Sequence, residues 1–582
     1  MTDRFDPILI ELMRHEFIAL SEEMNMAMRQ TARSIVAKEA SELSAALLTP
    51  GGEVIGQAMI YGLGYVTAVM PYLIRKFGGS FKPGDVFLTN DPYGGASHLP
   101  DIVLVKPLFW SGELCGFAAV VEHHSDIGGR FAGGMGAGSP DIFSEGLRLP
   151  GVRFYENDRP IDAVRDIIAA NVRMPDDVLG DLDAQVAVCR RGEQGFGALL
   201  DKYGREAVET CYRQLYSHAE QSVRAILRQI PNGSYSSEIN WDDGAGLGVK
   251  LALTLTAKDG DVLLDFTGTG AQVPKAYNIP PDMLEHIVAG YFLYFLGEAD
   301  VPINSGLFAP IRVVIPKGTA LNPNFPAAVG GRGMLIWPTI DILNRVLAQA
   351  LPGRLGADGE GGSSSMVFAA TLPSGKAAIM PDIYASGWGA RPTKDGVEGA
   401  MPLLLNMYLS APTEAFEREL PILLEGCGFV PDTGGPGKYR GALSVYRRWR
   451  YLADGNVMLR TNNVNSVPEG RNGGRPGTSC EFYLISNGER KELPRISFNE
   501  ISVRAGDVLV HVQQGTGGYG DPFERDPQRV LADVIDGKHT SAYAEREYGV
   551  AVDLSTETVD LARTAVLREA AARNRRPAEA VK

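Results

Sequence analysis

Residues 90–129 read NDPYGGASHLPDIVLVKPLFWSGELCGFAAVVEHHSDIGG. Two short apolar runs, Ile102–Phe109 and Cys115–Glu122, flank the linker Trp110-Ser111-Gly112-Glu113-Leu114. Runs of this length joined by a short glycine-containing loop predict an antiparallel hairpin. With Gly112 at the tip of a three-residue loop, Asp101 falls opposite His123 and His98 lies near Asp126. A slip of one residue changes the pairing but keeps the ends together. His98, Asp101, His123 and Asp126, with His124 beside them, therefore converge at the open end of the hairpin. Cross-strand neighbours lie ~4.5–5.5 Å apart, within reach of a shared ion. Two neutral imidazoles and a carboxylate are a donor set used by catalytic zinc, manganese and iron sites, and they leave positions for water or substrate. A single histidine at a strand end is more often a hydrogen-bonded loop residue. The convergence of several favours a divalent metal. His15, His218, His286, His511 and His539 read as solitary residues.

The hairpin runs into DIGGRFAGGMGAGSPD, residues 126–141, with six glycines in sixteen positions. Such a segment lets backbone approach a ligand closely and present N–H groups to an anion. Beside a candidate metal site, Gly128, Gly129 and Arg130 are expected to cover and bind substrate, against the plainer reading of a surface loop.

At 582 residues the chain can hold several cores, and 45% hydrophobic with 22% charged residues is an ordinary globular balance. A formal charge of −14 argues against general binding to nucleic acid or anionic membranes. No apolar run reaches the ~18 residues of a membrane span. The start, MTDRFDPILIELMRHEF, does not read as a signal peptide. Five scattered cysteines without a CxxC fit a reducing cytoplasm and exclude a cysteine zinc ribbon.

Asp6-Pro7 reads as a helix start. Behind it Leu9, Leu12, Met13, Phe17, Leu20, Met24 and Met28 predict one long amphipathic helix to about Arg33, its methionines packed in a core rather than offered to a partner. Strands are expected in SAALLTP and EVIGQAMIYG, a helix near Thr67–Phe77, helices from about Arg165 to Ile230, and a hairpin turn around Lys258-Asp259-Gly260. The order predicts an α+β class, with mixed and antiparallel sheets, peripheral helices and a charged helical C-terminal tail ending in RNRRPAEAVK. The expected divisions are 1–160 (long helix, metal-site hairpin, glycine loop), 161–235 (helical), 236–330 (β-rich), 331–520 (Gly/Pro-rich mixed) and 521–582 (helical tail).

GxxxxGK[ST], GxSxG and HExxH are all absent. The glycine clusters AAVGGRG (327–333), GGPGKYRG (434–441), EGRNGGRPG (469–477) and GTGGYGDP (515–522) read as tight turns without the strand and helix of a dinucleotide site. Any ATP used is then bound by another chain.

The stretches GDVFLTNDPYGGASHLPD, VVEHHSDIGG, DIFSEGLRLPGVRFYEN, DVLLDFTGTGAQV, VPINSGLFAPIRVVIPKGTALNP, PDTGGPGKYRGAL and GTGGYGDPFERDP carry a resemblance. Together they resemble the hydantoinase B/oxoprolinase family, from about Asp6 to Gly549. These are B-type subunits of ATP-dependent cyclic-amide hydrolases (hydantoinase, oxoprolinase, caprolactamase) and of acetone and acetophenone carboxylases. The resemblance implies an A-type partner with an actin-like ATPase fold, using ATP and Mg2+ to phosphorylate the carbonyl oxygen, in an α2β2-type hetero-oligomer. It implies a metal held by His98, Asp101 and His123, whose activated water completes ring opening. Asp126, and after it His124, are expected to transfer protons. Two departures stand out. In KEASELSAALLTP, Glu42 stands where the family usually has aspartate, a possible further metal ligand. In YGLG, Gly62 replaces a frequent histidine, which suggests a substrate less polar than a hydantoin, such as a simple lactam. The rival readings are a subunit of an ATP-dependent ketone carboxylase and a scaffold subunit without chemistry.

Overall fold

The structure, a computed structural model, describes residues 6–57, 66–296, 301–362, 364–401, 411–461 and 466–575. The segment YGLG and the last residues of the tail lie outside them.

Helix α1 (Pro7–Thr31) starts where Asp6 accepts the Ile8 N–H, with proline as its first residue. Met13, Phe17, Met24 and Met28 are buried, so these methionines are core packing, whereas Leu12 is exposed. A short helix α2 (Ile35–Lys38) leads to β1 (Leu43–Leu48) and β2 (Val54–Gln57), and α3 (Met70–Phe77) precedes β3 (Val86–Thr89). The predicted hairpin is β4 (Asp101–Trp110) and β5 (Glu113–His123). After β6 (Val152–Glu156) and β7 (Arg159–Pro160) come three helices, α4 (Asp162–Asn171), α5 (Pro175–Tyr203) and α6 (Arg205–Leu227). The first sheet has the order β2-β1-β5-β4-β3-β6-β7 and is antiparallel throughout.

The hairpin turn differs from the three-residue loop expected. Trp110 pairs with Glu113 around the two-residue turn Ser111-Gly112. Both turn residues have positive φ, 51° and 83°, as the twist of a tight hairpin requires. A bulge between Leu108 and Phe109 then inserts one residue, so the far ends regain the register that places Asp101 against His123.

Because side chains alternate across a strand, β4 and β5 each serve two cores. Val103, Val105, Phe117, Ala119 and Val121 join one apolar cluster, which includes the helix α8 introduced below. Ile102, Leu104, Ala118 and Val120 join another with α1, α5 and α6. The hairpin is thus buried on both faces, and its open end is deep inside the protein.

Beyond it, β8 (Gly233–Asp242), β9 (Gly248–Lys258), β10 (Asp261–Asp265) and β11 (Ile311–Val314) form a second sheet whose β10–β11 pair is parallel. The β9–β10 turn falls at Asp259-Gly260, as expected. Helix α7 (Pro281–Leu296) and α8 (Gly333–Ala350) lie around it. The reading of AAVGGRG as an isolated turn is corrected here, because an 18-residue helix begins at Gly333.

A third sheet joins β12 (Ser365–Thr371), β13 (Ala377–Ile383), β16 (Gly455–Arg460) and β19 (Ile501–Val503). A fourth, reached after α9 (Thr413–Glu419), joins β14 (Ile422–Val430), β15 (Ser444–Tyr451), β17 (Glu481–Ser486), β18 (Glu489–Glu492) and β20 (Val508–Val512). The remaining glycine clusters pack backbone on backbone: a Cβ on Gly441 would lie 2.0 Å from Thr516 O, and one on Gly517 2.0 Å from Glu469 O. The tail holds α10 (Pro527–Ile535), α11 (Ser541–Tyr548), a small unexpected hairpin β21 (Ala551–Asp553) and β22 (Thr558–Asp560), and α12 (Leu561–Arg575). Buried Arg525 bonds Asp395 at 2.7 Å and Asp533 at 2.6 Å, tying this tail to the Gly/Pro-rich part. The class is α+β with mostly antiparallel sheets. Among the described residues no helix is long and apolar enough to cross a membrane, and all five cysteines are free thiols.

Candidate metal centre

His98 sits in the loop that delivers the chain into β4. Asn90 pins that loop from within, donating to Leu99 O (2.7 Å) and Leu147 O (2.9 Å) while accepting from Leu149 N (2.7 Å). The turn closes where Asp101 N donates to His98 O at 3.0 Å, which brings His98 Nε2 to 3.1 Å from Asp101 Oδ1. Across the ladder, Asp101 and His123 are Cα partners. The two imidazole centroids are 5.1 Å apart. Donor atoms of His98, Asp101 and His123 all lie within 4.8 Å of one another.

The three residues are at most 3% exposed, and no ring nitrogen of either histidine has a hydrogen-bond partner of good geometry. Buried polar atoms are seldom left that way. Burial, together with the charge of Arg332, lowers the pKa of His98 to about 3, so its imidazole is neutral and carries a free lone pair. Burial raises the pKa of Asp101, but the neighbouring His98 and Arg332 outweigh it and keep the group a carboxylate. A neutral imidazole at His98, an ionised carboxylate at Asp101 and a second imidazole beside them are a donor set a divalent ion takes, so the residues present fit a metal.

Two arginines that sequence reasoning missed stand beside this group. Arg332, at the start of α8, donates to Asp101 Oδ2 at 3.1 Å. The loop before it is held by Glu145, whose carboxylate accepts from Gly330 N (2.6 Å) and Val329 N (3.2 Å); burial pushes the pKa of Glu145 up to about 8. Arg460, at the end of β16, donates to Ser365 Oγ at 3.1 Å. Burial and then the charge of Arg332 push the pKa of Arg460 down to about 10, while Glu42 acts against them. Two cations brought together over a low-dielectric site favour an anionic ligand. Glu42 Oε2 is 4.0 Å from His123 Nδ1, and His123 N donates to Glu42 O at 3.0 Å. This carboxylate therefore borders the group.

The other expected residues are placed elsewhere. Both oxygens of buried Asp126 are engaged, by Gly128 N, Gly133 N, Arg173 N and Arg173 Nη1 at 2.7–3.2 Å. Asp126 thus clamps the glycine loop to the segment before α5, and it is not gathered with the three metal donors. His124 points to the opposite face of the sheet, toward Glu122 and Gln185. Gly128 and Gly129 face the protein's own backbone: a Cβ would lie 2.1 Å from Asn171 O and 2.5 Å from Glu145 O. Arg130 donates to Asn499 at the surface, 3.3 Å away. Glycine content marked a close backbone approach, but Asn171 and Glu145 are what approach.

Comparison with known proteins agrees with the fold and extends it. Residues 6–522 match the family described as Hydantoinase B/oxoprolinase. The chain is 30% identical to the caprolactamase subunit beta of Pseudomonas jessenii, over 94% of this chain and 96% of that one. It superimposes on the crystal structure of the ATP-dependent caprolactamase from the same organism with a TM-score of 0.89 and 28% identity, covering 97% of this chain and all of that one. A structure of nucleotide-free acetone carboxylase shares the fold, with a TM-score of 0.91 at 21% identity over 99% of this chain and 84% of that one. A match this long, over a fold this similar, places the chain in the hydantoinase B/oxoprolinase family.

Proposed function

We propose that the chain is the metal-dependent B-type subunit of an ATP-dependent amidohydrolase that opens a cyclic amide, whether lactam, hydantoin or oxoproline. The observation that carries this reading is the buried His98–Asp101–His123 group, whose ring nitrogens lack hydrogen bonds of good geometry, bordered by Arg332 and Arg460. The match to a caprolactamase subunit supports it.

An unstrained amide resists hydroxide because its carbonyl carbon is weakly electrophilic and its nitrogen leaves poorly. Phosphorylation of the oxygen by a partner of the actin-like ATPase class, in an α2β2-type assembly, turns the amide into an imidate bearing a phosphoryl group. Arg332 and Arg460 are placed to hold phosphoryl oxygens, Arg332 offering the planar fork that suits them. His98, Asp101 and His123, with Glu42 as a further oxygen donor, would hold a divalent zinc, manganese or iron ion, which would supply a water of lowered pKa near neutrality. Water adds to the carbon, and the ring C–N bond breaks as nitrogen takes a proton. A second water hydrolyses the resulting acyl phosphate to carboxylate and inorganic phosphate.

The chain purified together with its ATPase partner tests this. It should open ε-caprolactam, hydantoin or 5-oxoproline only with ATP, releasing one phosphate per ring, with no effect of bicarbonate. Turnover that requires bicarbonate and a ketone would overturn the hydrolase reading and favour a carboxylase.

A further inference from the structure

A second group of buried carboxylate and imidazole side chains lies on the other face of β5. Glu122 and His124 flank His123 in sequence, so alternation turns them away from the first site and toward α5. There they meet Asp181 and, one helical turn on, Gln185. A donor atom from each of Glu122, His124 and Asp181 lies within 4.8 Å of the others.

The three are 0%, 0% and 1% exposed. Neither oxygen of Glu122 and not Nδ1 of His124 has a hydrogen-bond partner of good geometry, although the Ser34 and Asp181 side chains adjoin Glu122. Among the described residues no lysine or arginine side chain makes an ion pair with Glu122 or Asp181. Two adjoining buried carboxylates without a counter-charge are strongly unfavourable in a low-dielectric interior.

Asp181 is fixed for its part. Its Oδ1 accepts Arg33 N (2.5 Å) and Ser34 N (3.2 Å), while Oδ2 shares only the Ser34 N–H, at 3.3 Å, and keeps a lone pair for a further partner. Gln185 Oε1 stands 3.3 Å from His124 Nε2, while the Gln185 amide donates to Ile102 O (3.0 Å) and Val120 O (3.4 Å). The carbonyl end of that amide is thereby oriented toward the group.

We propose that Glu122, His124 and Asp181, with Gln185 Oε1 beside them, form a second, structural site for a small divalent cation such as manganese or zinc. One imidazole with oxygen donors suits such ions. Two carboxylates neutralise the charge. Donors on one ion at ~2.1 Å stand at most ~4.2 Å apart, and His124 Nε2 already lies 3.8 Å from Glu122 Oε2, so binding needs little movement of the side chains. Full burial leaves no place for substrate. The ion instead joins the α1–α2 junction, α5 and the end of β5, and so fixes the strand from which His123 reaches the first site.

Metal content of the full-length chain tests this directly. In His98→Asn/His123→Asn protein, checked for folding by circular dichroism, about one ion per chain should persist; a folded variant with none overturns the proposal. Glu122→Gln/His124→Gln should remove that ion and leave the other. If that variant does not fold, wild-type crystals grown with Mn2+ decide. An anomalous peak among Glu122, His124 and Asp181 is expected, and a single peak at His98 overturns the site in favour of a proton shared by Glu122 and Asp181. A peak at Glu122 with none at His98 would sustain this site and sink the proposed function.

Discussion

Asp101 faces His123 as its Cα partner across the β4–β5 ladder, and that pairing determines which side of the hairpin presents the metal donors. Had the register slipped by one, Asp101 would oppose Glu122 or His124, whose side chains point to the other core. The bulge at Leu108/Phe109 is what reconciles a two-residue turn with this arrangement.

Arg332 links the first site to α8 through Asp101 Oδ2. Replacing it by glutamine should lower kcat for ring opening by roughly 100-fold or more, the usual effect of losing one oriented donor to a developing or transferred charge. Metal content should stay as in the wild type. Arg332→Lys should recover only part of the rate, because a lysine lacks the bidentate fork. Elemental analysis beside steady-state kinetics checks both.

Asp126 is assigned a positioning role by its four donors. Asp126→Asn should therefore lower thermal stability, by about 2–4 kcal/mol for removing the charge that faces Arg173. Bound metal should remain. Loss of the metal with an unchanged melting profile would place Asp126 in the ion's coordination instead.

Two glycines separate backbone strain from steric collision. Gly112 has a φ of 83° with open space around its Cβ position, so Gly112→Ala should cost only about 1–2 kcal/mol. Gly129 has a φ of 79° and meets the Glu145 backbone at 2.5 Å. Gly129→Ala should cost clearly more and loosen the Glu145 grip on the Arg332 loop. Thermal unfolding of the two variants side by side provides the comparison.

The hairpin was legible because two apolar runs of matched length frame a Ser-Gly turn, and because residues within one hairpin need no long-range information. Spacing alone predicts a three-residue loop. The bulge compensated, so Asp101 and His123 were still opposed. Arg332 and Arg460 were invisible for a physical reason: tertiary packing alone carries α8 and β16 to the hairpin mouth, from 231 residues away in the case of Arg332 and Asp101. The glycine loop misled because close approach to backbone and close approach to a ligand require the same residue. Adjacency sets His124 beside the metal donors as a proton-transfer candidate, yet period-two alternation sends it to the opposite face, where its neighbour Asp181 belongs to a helix.

Acid should destabilise the protein through its buried neutral histidines. Burial holds His539 at a pKa of about 4 against an ordinary 6.5, and keeps His511 well below that value. The unfolded chain then binds protons that the folded chain does not, so stability is full above about pH 6.5 and declines as pH falls toward 4. His539→Gln should flatten part of that slope. Urea unfolding at pH 7, 6 and 5 reads it, and identical slopes for wild type and variant would refute the assignment.

The most direct test of the central claim uses His98→Asn/His123→Asn in the complex with the ATPase partner. The account predicts that the subunits still assemble, that the first-site ion is lost from elemental analysis, and that ATP-dependent ring opening falls below detection. Undiminished ring opening by an assembled variant lacking that ion would contradict it, and would leave the chain as a scaffold.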